Sequence, residues 1–196
     1  MAPRRKQDHH GRRARREGYP ARSVYKLQEI DRRVGLFKKG QRVLDLGASP
    51  GSWTLYAAER VGPTGQVLGI DLNDPEVALP PQAEIRTLDA FEVDPGTLGG
   101  PFDLVISDMA PKTSGQRHAD QFRSYELVMR ALELTKMVLK PGGTFVAKIF
   151  QGAEFDDARN AIREAFGKVR IIRPKATRDE SYEVFLVGLG FRPATS

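Results

Sequence analysis

The chain has 196 residues, of which 40% are hydrophobic and 29% charged, and its formal net charge is +6. That length suits one compact domain with a substantial core. It has no cysteine, which excludes disulfides, thiolate zinc sites and a cysteine nucleophile, and with only three histidines no metal site is expected. No apolar run approaches the roughly 18 residues of a membrane helix, and the first residues lack the apolar core of a secretory signal. A cytoplasmic protein that does not engage membranes is expected.

Residues 1–17 carry seven basic side chains against Asp8 and Glu17. Such a block reads as a flexible tail over 1–20, suited either to solvent or to phosphates. The rest, 21–196, reads as a single domain. Ala21 to Val34 predicts a helix, with Val24, Leu27, Ile30 and Val34 at helical spacing and Gly35 as its stop. Then strand and helix patterns alternate. RVLDLG (42–47) predicts a strand, Trp53 to Val61 a helix ending at Gly62-Pro63, QVLGID (66–71) a second strand and EIRTLDA (84–90) a third. FDLVISD (102–108) predicts a fourth strand, residues 119–139 a long amphipathic helix, and TFVAKIF (144–150) a fifth strand after Pro141-Gly142-Gly143. Phe155 to Phe166 predicts another helix, and VRIIRP (169–174) and YEVFLVGLGF (182–191) close the chain as strands. The alternation implies a mostly parallel α/β sheet with helices on both faces. The last two strands lack a helix between them, so an antiparallel pair is expected.

Charge is segregated along this order. Residues 22–42 hold seven basic side chains and two acids, whereas residues 45–108 hold eleven acids against Arg60 and Arg86. Lys168, Arg170, Arg173, Lys175 and Arg178 form a further basic block. One acidic region and a separate basic surface for phosphates follow.

In an open α/β sheet, ligands bind beyond the carboxyl ends of the strands. Asp45, Asp71, Asp89 and Asp108 stand at those predicted ends. The first strand runs into Gly47-Ala48-Ser49-Pro50-Gly51-Ser52-Trp53, a glycine turn opening a helix. A dinucleotide site needs G-x-G-x-x-G to hold its pyrophosphate, and this turn is G-x-x-x-G among acids. A cationic sulfonium joined to a nucleoside suits that field better, with Asp71 placed to accept from ribose hydroxyls. Asp45 is expected to be structural, and Trp53 reads equally as a core residue or as one facing a cofactor. Lys148 is the sharpest anomaly, a lysine inside the apolar run TFVAKIF. Asp108 offers it a partner on the neighbouring strand, and Glu183 interrupts the last strand with the opposite charge. The loop from Lys112 to Asp120, with Gly115 and Arg117, reads as a flap over substrate.

Four segments carry a resemblance together with DLGASPGSW (45–53): RSVYKL (22–27), SDMAP (107–111), VAKIFQG (146–152) and YEVF (182–185). They resemble the FtsJ/RrmJ (RlmE) family of RNA ribose 2′-O-methyltransferases, from about Arg22 to Gly190. The resemblance implies a Rossmann-like class I methyltransferase fold and S-adenosylmethionine as cofactor. Its implied catalytic tetrad falls on Lys26, Asp108, Lys148 and Glu183, and its cofactor contacts on Gly51, Trp53, Asp71, Asp89 and Asp108. Ser49 and Ser52 depart from the family's usual Ala and Gly. For a single-domain bacterial member, the implied substrate is a uridine ribose in large-subunit (23S) ribosomal RNA. Lys148 would act there as the base or orient the oxygen lone pair. A monomer is expected. A tRNA ribose 2′-O-methyltransferase is the alternative, and a non-catalytic ribosome-assembly factor conflicts with the intact tetrad.

Overall fold

A computed structural model describes residues 9–177 and 181–194. The basic residues Arg4, Arg5, Lys6 and Arg178 lie outside them. Seven strands form one sheet: β1 (Arg42–Leu46), β2 (Gln66–Asp71), β3 (Ala83–Thr87), β4 (Phe102–Ser107), β5 (Leu139–Phe150), β6 (Phe166–Ile172) and β7 (Glu183–Phe191). Their order is β3-β2-β1-β4-β5-β7-β6. β1 to β5 run parallel to one another, and β7 runs antiparallel between β5 and β6. This is the expected mostly parallel sheet with an antiparallel last strand.

Alternation along the strands explains why helices cover both faces. Val43, Leu104, Ile106, Val146, Phe185 and Val187 point to one side, where α2 (Val24–Val34) and α3 (Ser52–Val61) bury Leu27, Ile30, Trp53 and Ala57 against them. Leu44, Leu46, Val105, Phe145, Ala147 and Leu186 point to the other. There α4 (Arg117–Val138) and α5 (Phe155–Ala165) contribute Val128, Leu132, Ala158 and Ile162. A side chain's parity in its strand therefore decides which helical layer it meets. Lys148 shares parity with Val146, so it faces the α2/α3 layer.

Several boundaries differ from the sequence pattern: α2 begins at Val24 rather than Ala21, and β3 ends at Thr87 rather than Ala90. β5 begins at Leu139, directly after α4, and passes through Pro141-Gly142-Gly143. β6 begins at Phe166 rather than Val169, because Phe166 is fully buried against Phe145 and Phe191. The larger difference is at the start. Within the stretch expected to be flexible, His9–Arg16 forms a helix, α1, that docks on the domain. Ala14 is fully buried and Tyr19 nearly so, clustered with Val24 and Tyr25. Tyr25 donates its hydroxyl to Glu17 at 2.9 Å, and Tyr19 donates to Glu59 on α3 at 2.6 Å. Two small anchors and paired polar groups hold a helix that hydrophobic periodicity does not announce.

Candidate active site

Because β1 to β4 are parallel neighbours, their carboxyl ends open at one edge, where a cavity of about 700 Å³ lies. A volume in this range is that of a small-ligand pocket. Asp71 ends β2, Asp108 directly follows β4, and Asp89 lies two residues beyond the end of β3; all three line the cavity. Leu72, Leu88 and Phe91 supply apolar wall, and Gly47 and Met109 close the side beneath the β1 turn. Gly47 has φ 79°, and a Cβ there would stand 2.8 Å from Met109 Cγ, so only glycine lets the two segments meet.

The acids are held in place. Asp71 accepts the Ser49 N–H at 3.1 Å on one oxygen, and the Asn73 N–H at 2.8 Å and side-chain amide at 3.1 Å on the other. Asp89 accepts the Phe91 N–H at 2.8 Å. Arg130 reaches over from α4 and donates to the Ala90 carbonyl at 2.7 Å, fixing the segment that carries Asp89 and Phe91. Asp45 lies fully buried behind this rim and accepts the Thr54 hydroxyl at 2.7 Å. Burial pushes its carboxyl up to about 7, opposed by the Thr54 hydrogen bond and aided by the charges of Asp108 and Asp71.

Beside the cavity stand two ion pairs. Lys148 Nζ donates to the Asp108 main-chain carbonyl at 2.6 Å and lies 3.0 Å from its Oδ1. Lys26, on α2, pairs with Glu183, at the start of β7. In the β5–β7 register Lys148 is opposite Phe185, and Phe150 is opposite Glu183. Lys148 and Glu183 are therefore diagonal neighbours on one face, the face that α2 covers. Lys148 and Glu183 are only 7% and 8% exposed, which explains why each cation and anion is matched. The structure thus gathers Lys26, Asp108, Lys148 and Glu183, and Asp108 belongs to both cluster and cavity.

Trp53 and Gly51 are placed differently from the other expected site residues. The Trp53 ring is buried against Phe185, 5.7 Å between centroids, and its Nε1–H donates to the Ser23 carbonyl at 2.9 Å. It ties α3 to the start of α2, and so to Lys26, rather than lining the cavity. Gly51 precedes α3 with φ 110°; a Cβ there would meet Val77 at 2.7 Å. It shapes the turn from behind. Sequence reading missed Leu72, Asn73, Phe91 and Arg130, although Leu72 and Phe91 adjoin or nearly adjoin the two strand-end acids, and an apolar residue beside such an acid is a usable signal.

Fold and site together define a Rossmann-like α/β protein with an acid-lined small-ligand pocket and an adjoining lysine–carboxylate cluster. The chain belongs to the FtsJ-like methyltransferase family, whose model matches residues 19–191. It is similar to the "Ribosomal RNA large subunit methyltransferase E" of Sorangium cellulosum, 54% identical with 90% of this chain and 84% of that protein covered. It is also similar to the protein so named in Oleidesulfovibrio alaskensis, 48% identical over 94% of this chain and 92% of that one. Among solved structures, one from Plasmodium falciparum described as a ribosomal RNA methyltransferase shares the fold. Its TM-score is 0.77 at 24% identity, with 90% of this chain and all of that one covered.

Proposed function

We propose that this chain transfers the methyl group of S-adenosylmethionine to the 2′-hydroxyl of a uridine ribose in large-subunit (23S) ribosomal RNA. The observation that carries this reading is the Lys148–Asp108 pair, an ammonium buried at the rim of an acid-lined cavity. The names of the relatives support the ribosomal RNA partner. The protein would work in the cytoplasm as a monomer.

The donor set fits the cofactor. Asp71 would accept from its ribose hydroxyls, Asp89 would accept from the exocyclic amine of its adenine, and Leu72, Leu88 and Phe91 would flank the base. Bound there, the cofactor supplies an electrophilic methyl on a sulfonium, a cation that the field of Asp71, Asp89 and Asp108 favours. Lys148 acts on the acceptor. One of its N–H groups is directed to the Asp108 main-chain carbonyl, and the carboxylate lies 3.0 Å from Nζ as a charge partner, which leaves donor capacity for the incoming 2′-oxygen. Donation to one lone pair aims another along the line of transfer, and alignment supplies much of the rate. As the new O–C bond forms, the methyl–sulfur bond would break to leave a neutral thioether, and the hydroxyl proton would pass from the 2′-oxygen to solvent. Lys26, fixed by Glu183, adds positive charge where the RNA backbone enters.

Mapping 2′-O-methylated nucleotides in RNA from cells with and without this protein tests the proposal. Loss of one methyluridine in 23S RNA is expected. An unchanged ribosomal RNA, or a loss mapped to a tRNA, would overturn the assigned substrate.

A further inference from the structure

A ribose oxygen inside a folded RNA reaches a buried lysine only if its nucleotide is drawn out of its stack, and an extruded base needs a surface to stack on. Beside Lys148 and Glu183 the structure carries such a surface. The Tyr182 ring, next to Glu183, meets Phe150 edge-on with centroids 4.9 Å apart. The Arg117 guanidinium lies over the Tyr182 ring, 5.0 Å from its centroid. The Tyr182 backbone is fixed, since the Gln151 N–H donates to its carbonyl at 2.9 Å and so extends the β5–β7 pairing by one step. Arg117 is exposed and opens α4, at the end of the loop that leaves Asp108. That loop is anchored: Ser114 donates its N–H to both Asp120 oxygens, at 2.9 and 3.1 Å, and its hydroxyl to one of them at 2.9 Å.

Phe150 is two residues beyond Lys148, about 7 Å along the strand between their Cα positions, and its ring touches Tyr182 at the carboxyl edge of the sheet where Asp108 leaves β4. We infer that Tyr182 and Arg117 form the stacking subsite for the extruded base of the target nucleotide, a pyrimidine, with the Tyr182 ring as platform and the Arg117 guanidinium closing over it. Stacking on an aromatic ring and under a planar cation is how single-stranded bases are held without edge readout. The polar rim contact between α4 and β7 is then the empty form of this clasp, the guanidinium resting where the base enters. The inference rests on the proposed ribose methylation.

Steady-state methyl transfer to large ribosomal subunits that lack this modification, with wild type, Tyr182→Phe and Tyr182→Leu, tests it. Leucine keeps apolar contact with Phe150 but has no π-face; phenylalanine keeps the face. Tyr182→Leu is expected to raise KM for the subunit at least about tenfold, the scale of one lost base stack. Its melting temperature and S-adenosylmethionine affinity should match wild type, and Tyr182→Phe should stay within about threefold. Arg117→Ala should raise KM in the same direction. If Tyr182→Leu keeps the wild-type KM, or if phenylalanine fails as leucine does, the stacking role is wrong. Should the wild type itself transfer no methyl to these subunits, the functional proposal fails instead, and the two failures are thereby told apart.

Discussion

Asp45 shows how a single side chain can be structural and still be costly. It sits wholly buried at the end of β1, with one oxygen on the Thr54 hydroxyl, and its carboxyl titrates at about 7. An unfolded aspartate titrates near 3.9. Between those values the folded chain holds a proton that the unfolded chain has released, so stability falls as pH rises through this window and levels off above it. Asp45→Asn keeps an acceptor for Thr54 and removes the titration. Relative to wild type, the variant should gain stability between pH 4 and pH 8, on the order of 3 kcal/mol, as read from denaturant unfolding at each pH. Parallel stability curves for the two proteins would contradict this.

At the scale of elements, the site depends on how α2 is seated, because α2 brings Lys26 to Glu183 on β7. Trp53 is the link: its ring packs on Phe185 of β7 and its N–H holds Ser23 at the start of α2. Trp53→Phe retains most of the packing and loses the hydrogen bond. It should lower stability by about 1 kcal/mol and lower turnover several-fold, with S-adenosylmethionine affinity unchanged in equilibrium titration. A variant that instead loses cofactor affinity while keeping turnover would return Trp53 to the cofactor pocket. The sequence alone left both roles open for this residue, since a lone tryptophan at a helix start has no signature for what its ring touches. β1, β2 and β4 were legible almost residue by residue, as short apolar runs bounded by turn signals. α1 was not, because its docking uses only Ala14 and, just beyond it, Tyr19 among many charges. Lys148 stood out on composition alone, and Asp108 was legible as its partner from the strand order, while the pairing of Lys26 with Glu183 came only with the resemblance; β4–β5 pairing is what brings Lys148 to Asp108.

For the whole molecule, charge is divided between a cavity edge gathered from β1 to β4 and basic segments on α1, α2 and β6. Docking of α1 converts part of an expected tail into a surface of fixed position, with Arg13, Arg15 and Arg16 in its last turn. If these segments contact several phosphates, affinity for large subunits should fall steeply and linearly in a log–log plot against salt. A flat dependence would remove the basic surface from recognition. The central claim, that an ammonium held by Asp108 works on the acceptor oxygen and not on the cofactor, is tested most directly by Lys148→Met, which keeps the stem and removes the charge. Labelled methyl transfer to unmodified large subunits should fall at least about a thousandfold, a loss of roughly 4 kcal/mol of transition-state stabilisation, while S-adenosylmethionine still binds within a few-fold of wild type. Transfer that survives within a few-fold would contradict it.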